Sequence, residues 1–287
     1  MQTDPLNLIT VMAALQKRWS TLLFIVVASI IVAGITVYLV PPYYKAQATV
    51  ASANPALADK ARLFNSNVQN LYSYFGSGDD LDRIIGVGEM DLTYEKLVDA
   101  FSMQDYYQLS GDSLPVLRRK AVKLLRKDLK FVKTDNGQLQ ILVWTKDKKL
   151  SADIINRTIA IIEETEAGIW RNNYQLSQEK LQAGIVSLEK QYRLLSDSMA
   201  ALQASRQQLV VAQMQSLLEQ IKQYRKTAAD FDMAAQTAPP AMYILEAASP
   251  AAYAERPDKP AVLLATALIS FIFGCLLVLV NDRKRFA

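Results

Sequence analysis

The chain has 287 residues, 51% hydrophobic and 21% charged, with 32 Lys and Arg against 28 Asp and Glu. This is too apolar for a disordered chain, and a single Cys excludes a disulfide framework or a thiolate metal cluster. The absence of His excludes Ser-His and Cys-His nucleophile pairs, His-bound zinc or iron, and an imidazole base near neutral pH, which leaves enzyme chemistry only carboxylates, Lys or Tyr.

In chain order, a short tail (1–19) leads into Ser20 to Val40, which holds 21 consecutive residues without a charge. Ala261 to Val280 holds another 20, followed by the tail 281–287. At about 1.5 Å per residue either run reaches roughly 30 Å as a helix, the thickness of a bilayer's hydrocarbon layer. A cleaved signal peptide fits the first run less well, because it is too long for an h-region and the cleavage-like Ala46-Gln47-Ala48 lies past its end. Lys17 and Arg18 abut the first run, and Arg283, Lys284 and Arg285 abut the second, which predicts both termini in the cytoplasm and 41–260 on the far side. Trp19 and Tyr38 stand at the two headgroup levels of the first span, and the sole Cys, Cys275, is inside the second. A thiol-free external domain suits an oxidising periplasm. Small residues four apart, Ser29 with Ala33 and Ser270 with Gly274, are candidate helix-pairing and oligomer contacts.

Pro41-Pro42 stops the first helix, and Tyr43 to Val50 reads as a strand. Leu57, Ala61, Phe64, Val68, Leu71 and Phe75 have helical spacing over Asn54 to Phe75. Asp79, Asp80 and Asp82 hint at a calcium loop, but carboxylates opening a helix at Leu81 to Ile85 explain them better, and no Gly and terminal Glu of an EF-hand follow. Helices are expected at Thr93 to Met103 and Leu114 to Lys127. The second is strongly basic, so Arg118, Arg119, Lys123 and Arg126 are a candidate anionic-ligand patch. Against this, Val116, Leu117, Ala121, Leu124 and Leu125 give the same stretch an apolar stripe, which makes a solvated amphipathic face the preferred reading. Nucleic acid is disfavoured as a partner because the domain lies outside the cytoplasm. Asn136-Gly137 between Leu129–Lys133 and Gln138–Trp144 marks a β-hairpin, which needs sheet partners from Tyr44–Val50 and Met242–Ala247.

From Lys148 onward the pattern is helical for more than 80 residues, with no Pro until Pro239. Leu181, Ile185, Leu188, Tyr192, Leu195, Met199 and Leu202 step by 4 and 3, as do Val210, Met214, Leu217, Ile221, Tyr224, Ala228 and Phe231. The two seams fit an antiparallel helical hairpin turning near Ser205 to Gln208 or one continuous helix with a skip residue; the hairpin is preferred because the chain must return to the membrane at Pro260, and Leu181, Leu188, Leu195 and Leu202 are candidate oligomer contacts. Glu163, Glu164 and Glu166 read as a wet face, and the glycosylation-like Asn156-Arg157-Thr158 lies within a helix. Nothing calls for a cofactor or a metal. The expected fold is an α+β membrane protein: two transmembrane helices (20–40 and 261–280) flank a periplasmic domain (41–260). That domain has a small α/β base, about 41–147 and 240–260, and long helices over about 148–236.

Asp4-Pro5-Leu6-Asn7-Leu8 before the first span, Val40-Pro41-Pro42-Tyr43-Tyr44-Lys45-Ala46 after it, and Pro250, Arg256-Pro257 and Lys259-Pro260 before the second resemble the Wzz-like chain-length determinants, or polysaccharide co-polymerases, of bacterial inner membranes. Asp147 to Glu164 is similar to that family's entry into its long helix. The resemblance singles out Pro41, Pro42, Tyr43, Pro257 and Pro260 as a juxtamembrane motif. It implies a bell-shaped homo-oligomer that sets the length of a lipid-linked surface polysaccharide, O-antigen or similar, beside a Wzy-type polymerase and without catalysis of its own. With no phosphate-binding Gly-rich loop after the second span, the kinase-less form is expected. The alternative reading is a membrane adaptor of a separate tyrosine kinase, or a component of a capsule or exopolysaccharide exporter.

Overall fold

The computed structural model describes Met12 and residues 15–54, 75–199 and 204–283. Two helices, α1 (Trp19–Leu39) and α8 (Lys259–Arg283), are long and apolar enough to cross a membrane. Between them run β1 (Tyr44–Ser52), α2 (Gly78–Gly88), α3 (Asp91–Ala100), α4 (Met103–Tyr106), α5 (Leu114–Asp128), β2 (Leu129–Lys133), β3 (Leu139–Thr145), α6 (Lys148–Met199), α7 (Ala204–Gln236) and β4 (Met242–Glu246). The strands form one sheet in the order β2-β3-β1-β4, with β2 antiparallel to β3 and β1 antiparallel to β4. The expected α+β class is therefore present. The helix expected over Asn54 to Phe75 lies outside the described residues except at its ends, where Phe75 bridges Ala53.

The chain divides into two compact units. The first comprises Met1–Lys45, Trp144–Ser151 and Pro250–Ala287. Here α1 stops because Val40, ahead of Pro41, is extended at φ −72° and ψ 127°. The two apolar helices pair antiparallel, burying Leu22, Val37, Ser270, Gly274 and Val278. A Cβ at Gly274 would lie 3.5 Å from Leu22 Cγ, an ordinary packing distance, so Gly274 faces α1 at a point where a methyl group would also fit. The hydroxyls of Thr36, Thr266 and Ser270 donate to carbonyls of their own helices, which satisfies these three protons in an apolar surrounding.

The second unit comprises Ala46–Val143 and Ala152–Ser249. Its core holds Ala48, Val50, Leu139, Ile141 and Val143 from the sheet, Ile84 and Leu97 from the short helices, and Ile154, Ile155, Ile161 and Ile162 from α6. In α2 a capping box closes the N-terminus: Ser77 N–H donates to Asp80 Oδ2 at 2.7 Å, and Asp80 N–H donates back to Ser77 Oγ at 3.4 Å. Asp80 thus serves the helix end, as expected, although the helix begins at Gly78 rather than Leu81. Thr134 and Gln138 close the β2–β3 loop, with Gly137 in the left-handed region at φ +70°. The Asn-Gly signal therefore operates in a longer loop than the two-residue hairpin.

In this unit α6 and α7 form the expected antiparallel hairpin. Trp170 Nε1 donates to Ala234 O at 2.9 Å, Tyr174 stacks edge-on against Phe231, and Glu189 pairs with Arg225. Ile185, Ile221 and Ala228 are buried, with Leu181 and Leu188 packed on them. The turn differs from expectation: α7 already runs from Ala204, so Ser205 to Gln208 are helical, and residues 200–203 lie outside the described residues.

Candidate functional site

The first unit brings together the two Pro-rich segments that flank the apolar helices. Tyr43 N–H donates to Arg256 O at 2.9 Å, and Glu255 N–H donates to Tyr43 O at 2.9 Å. Pro41, Pro42 and Tyr43 on one side, and Pro257 and Pro260 on the other, thus meet in one short crossover although they are far apart in sequence. Pro260 occupies the first turn of α8, where its missing N–H has no intrahelical partner to lose.

Around this crossover is a collar of cations and rings. Trp144, at the end of β3, donates Nε1–H to Glu255 Oε2 at 2.7 Å. Its ring lies 5.9 Å from Lys45 Nζ and 4.4 Å from the Arg256 guanidinium carbon. Lys45 also pairs with Glu255 at 3.4 Å. Lys148 Nζ is 5.1 Å from the Tyr44 ring and donates to Ala252 O at 3.2 Å, while Lys259 Nζ is 4.3 Å from the Tyr38 ring. Each of these ring contacts is attractive because the aromatic face carries partial negative charge. Asp147 caps α6, accepting from Lys149 N–H at 2.7 Å and Leu150 N–H at 3.1 Å. Sequence reasoning singled out only the proline part of this cluster. The alternation of β3 ending at Trp144, followed by Lys146, Lys148 and Lys149, was the signal available for the rest.

The other expected site residues are distributed as follows. Ser270 and Gly274 are buried against α1 of the same chain, and Ser29 and Ala33 are half-buried. Leu181 and Leu188 pack within the hairpin and Leu195 is half-buried, while Leu202 lies outside the described residues. The small-residue pair of α8 and much of the first seam are thus engaged inside one chain, and the exposed apolar side chains of the hairpin include Val186, Leu194, Leu209 and Leu218.

In the basic patch, Arg118 pairs with Glu95 at 2.9 Å and with Asp99. Arg126 pairs with Asp91 at 2.5 Å, donates to Glu89 O and covers the Tyr94 ring at 4.7 Å. Arg119 and Lys123 are exposed. Burial pushes the Tyr94 hydroxyl pKa up, with the Arg126 charge working against it. The preferred amphipathic reading of α5 is met by buried Ala121 and Leu125, whereas Val116 is exposed.

Among the carboxylates, Asp82 pairs with Lys133 at 2.5 Å. Glu164 pairs with Arg157 at 2.8 Å, and Glu166 with Arg83 at 3.3 Å. Glu166 Oε1 is buried without a hydrogen-bond partner among the described residues, in an open cleft of about 420 Å³ also lined by Met90, Trp170, Asn173 and Pro240. Burial raises the Glu163 pKa. Among the described residues no group of three or more acidic or thiol side chains is placed to hold a metal.

Two antiparallel helices long and apolar enough to span a membrane, a small sheet and a long helical hairpin define an α+β fold flanked by two candidate membrane helices. Residues 4–83 match the model of the Wzz family, described as chain length determinant protein. The fold is similar to that of a full-length bacterial polysaccharide co-polymerase, at TM-score 0.50 and 11% identity, over 97% of this chain and 98% of that one. Weaker likenesses are to a fragment of WzzB, the polysaccharide co-polymerase of Salmonella Typhimurium (TM-score 0.34, 11% identity, 75% of this chain and 100% of that one). The Shigella flexneri lipopolysaccharide O-antigen chain-length regulator WzzBSF, in a mutant form, gives TM-score 0.30 and 10% identity over 74% of this chain and 100% of that one. No curated protein sequence matches the chain significantly. Residues 4–83 are thus similar in sequence to the Wzz family, and over nearly its whole length the chain is similar in fold to a polysaccharide co-polymerase.

Proposed function

We propose that this chain is a non-enzymatic inner-membrane scaffold that regulates the chain length of a lipid-linked surface polysaccharide, O-antigen or similar, together with a Wzy-type polymerase. The observation that carries this reading is the chain-length-determinant match over residues 4–83, set within a whole-length likeness to a co-polymerase fold. Lys17 and Arg18 before α1, and Arg283 to Arg285 at the end of α8, favour cytoplasmic termini and a periplasmic 41–260. Homo-oligomers would then form through surfaces that the single chain leaves apolar, for which Val186, Leu194, Leu209 and Leu218 are the candidates on the hairpin.

Deleting the gene and comparing surface glycan on a gel tests the reading. The expected result is a changed length distribution with polymer still made, restored by the full chain. An unchanged ladder would overturn it, and loss of export with normal lengths would favour an exporter role.

A further inference from the structure

The collar around the Tyr43–Arg256 crossover holds its charge in an unusual way. The segments 41–47, 144–151 and 250–260 carry six Lys and Arg against three Asp and Glu, whereas 41–260 as a whole carries 27 against 26. The positive excess of the domain is therefore concentrated here, and the remainder is slightly acidic. All three acids are engaged. Glu255 is held by Lys45 and Trp144, Asp147 by the first amides of α6, and Asp258 accepts from Ala261 N–H at 3.2 Å.

Lys148, Arg256 and Lys259, by contrast, are exposed and have no carboxylate within salt-bridge distance among the described residues; each lies over a ring, of Tyr44, Trp144 and Tyr38 respectively. A ring face positions a cation without neutralising it, so the outward side of the charge stays available. Tyr38 is the penultimate residue of α1 and Lys259 the first of α8, which sets Lys259 at the ends of both apolar helices, while Arg256 lies three residues before α8 and the ring under Lys148, Tyr44, lies five residues after α1. That is the depth at which aromatic side chains and lipid headgroups meet.

We propose that Lys148, Arg256 and Lys259 form a binding site for the phosphate headgroup of an anionic membrane lipid. The inference rests on α1 and α8 crossing the bilayer and on no other part of the proposed function. Phosphate is the matching chemistry because three exposed cations carried on rings suit a polyanionic oxygen cluster. A membrane lipid is the matching source because the adjoining spans hold its headgroup at this depth at high local concentration.

The test uses the full chain in lipid nanodiscs of mixed phosphatidylcholine and phosphatidylglycerol, with retained lipid counted by native mass spectrometry. Phosphatidylglycerol is expected to be enriched over its bulk fraction, and Lys148→Gln or Arg256→Gln each to lower the enrichment about fivefold, with a further fall at high salt. Lys222→Gln, on the hairpin, should change nothing. A polyprenyl diphosphate that displaces phosphatidylglycerol would assign the site to a diphosphate lipid and support the proposal. Displacement by soluble pyrophosphate at the same concentration would overturn it in favour of a free-anion site. Equal retention of both phospholipids, or variants that retain them like the parent chain, would also overturn it. A chain that fails to enter the bilayer would overturn the span reading itself, a result the nanodisc preparation reports separately. Hydrogen exchange at the Tyr43 and Glu255 amides confirms that the variants keep their fold.

Discussion

Two basic regions of this molecule differ in what holds their best-placed cations. Along α5, the densest cationic run in the sequence, Arg118 and Arg126 are matched by Glu95, Asp99 and Asp91 of α3 and its start. In the collar, Arg256, Lys148 and Lys259 rest on Trp144, Tyr44 and Tyr38. Charge density in a sequence therefore does not locate an anion site: what decides is whether the partners that fold onto the cations are carboxylates or rings. A carboxylate cancels the field that an anionic ligand would feel, whereas an aromatic face holds the cation in place and leaves most of that field intact.

The contrast breaks most sharply at Trp144, which holds one hydrogen bond and two cations. Trp144→Ala should destabilise the crossover by about 2 kcal/mol, the sum of two cation–π contacts, one charge-assisted hydrogen bond and partial burial. Hydrogen exchange of the Tyr43 and Glu255 amides should accelerate accordingly, and Trp144→Phe, which keeps the face but not the N–H, should recover about half. Unchanged exchange in Trp144→Ala would show that the rings do not organise the collar.

The α5 pairs offer the opposite test. Arg118→Met should leave the denaturant midpoint almost unchanged, because both its partners and the guanidinium are well exposed to water. Arg126→Met, which also uncovers the Tyr94 ring and frees Glu89 O, should cost about 1 kcal/mol in denaturant midpoints. If either change instead weakened retention of anionic lipid, the two regions would not be as distinct as their partners indicate.

Much of this was legible beforehand, and the reasons are physical. The spans depend on uninterrupted apolar length, the β2–β3 hairpin on Asn136-Gly137, and the α6–α7 hairpin on two local seams. All are short-range signals. The partners of the cations were not legible. Glu95 and Asp99 reach Arg118 only because α3 packs on α5, and Trp144 reaches Arg256 across more than a hundred residues of chain. The prolines of the crossover stood out by composition, but Trp144 and Lys148 did not, since one aromatic at a strand end and one lysine at a helix start are ordinary in isolation. The hairpin's turn was misplaced at Ser205 to Gln208, which are helical, because the seams determine which faces meet and not where the chain reverses.

Glu163 sharpens the comparison from the acidic side, and with the smallest effect. It has neither cation nor ring as partner: no Lys or Arg lies within salt-bridge distance of it among the described residues, and burial alone raises its pKa above the ordinary value of 4.5. A carboxyl whose folded pKa exceeds its unfolded one favours the folded state while protonated. Its contribution is fully present below about pH 4.5 and is lost as pH rises through the folded pKa. At neutral pH the ionised group therefore opposes folding. Glu163→Gln should raise stability slightly at pH 7, leave it unchanged at low pH, and flatten the decline between those limits in denaturant melts taken at constant ionic strength. A variant equally destabilised at every pH would mean that Glu163 has an attractive partner, which would place it with the paired charges of α5 rather than apart from them.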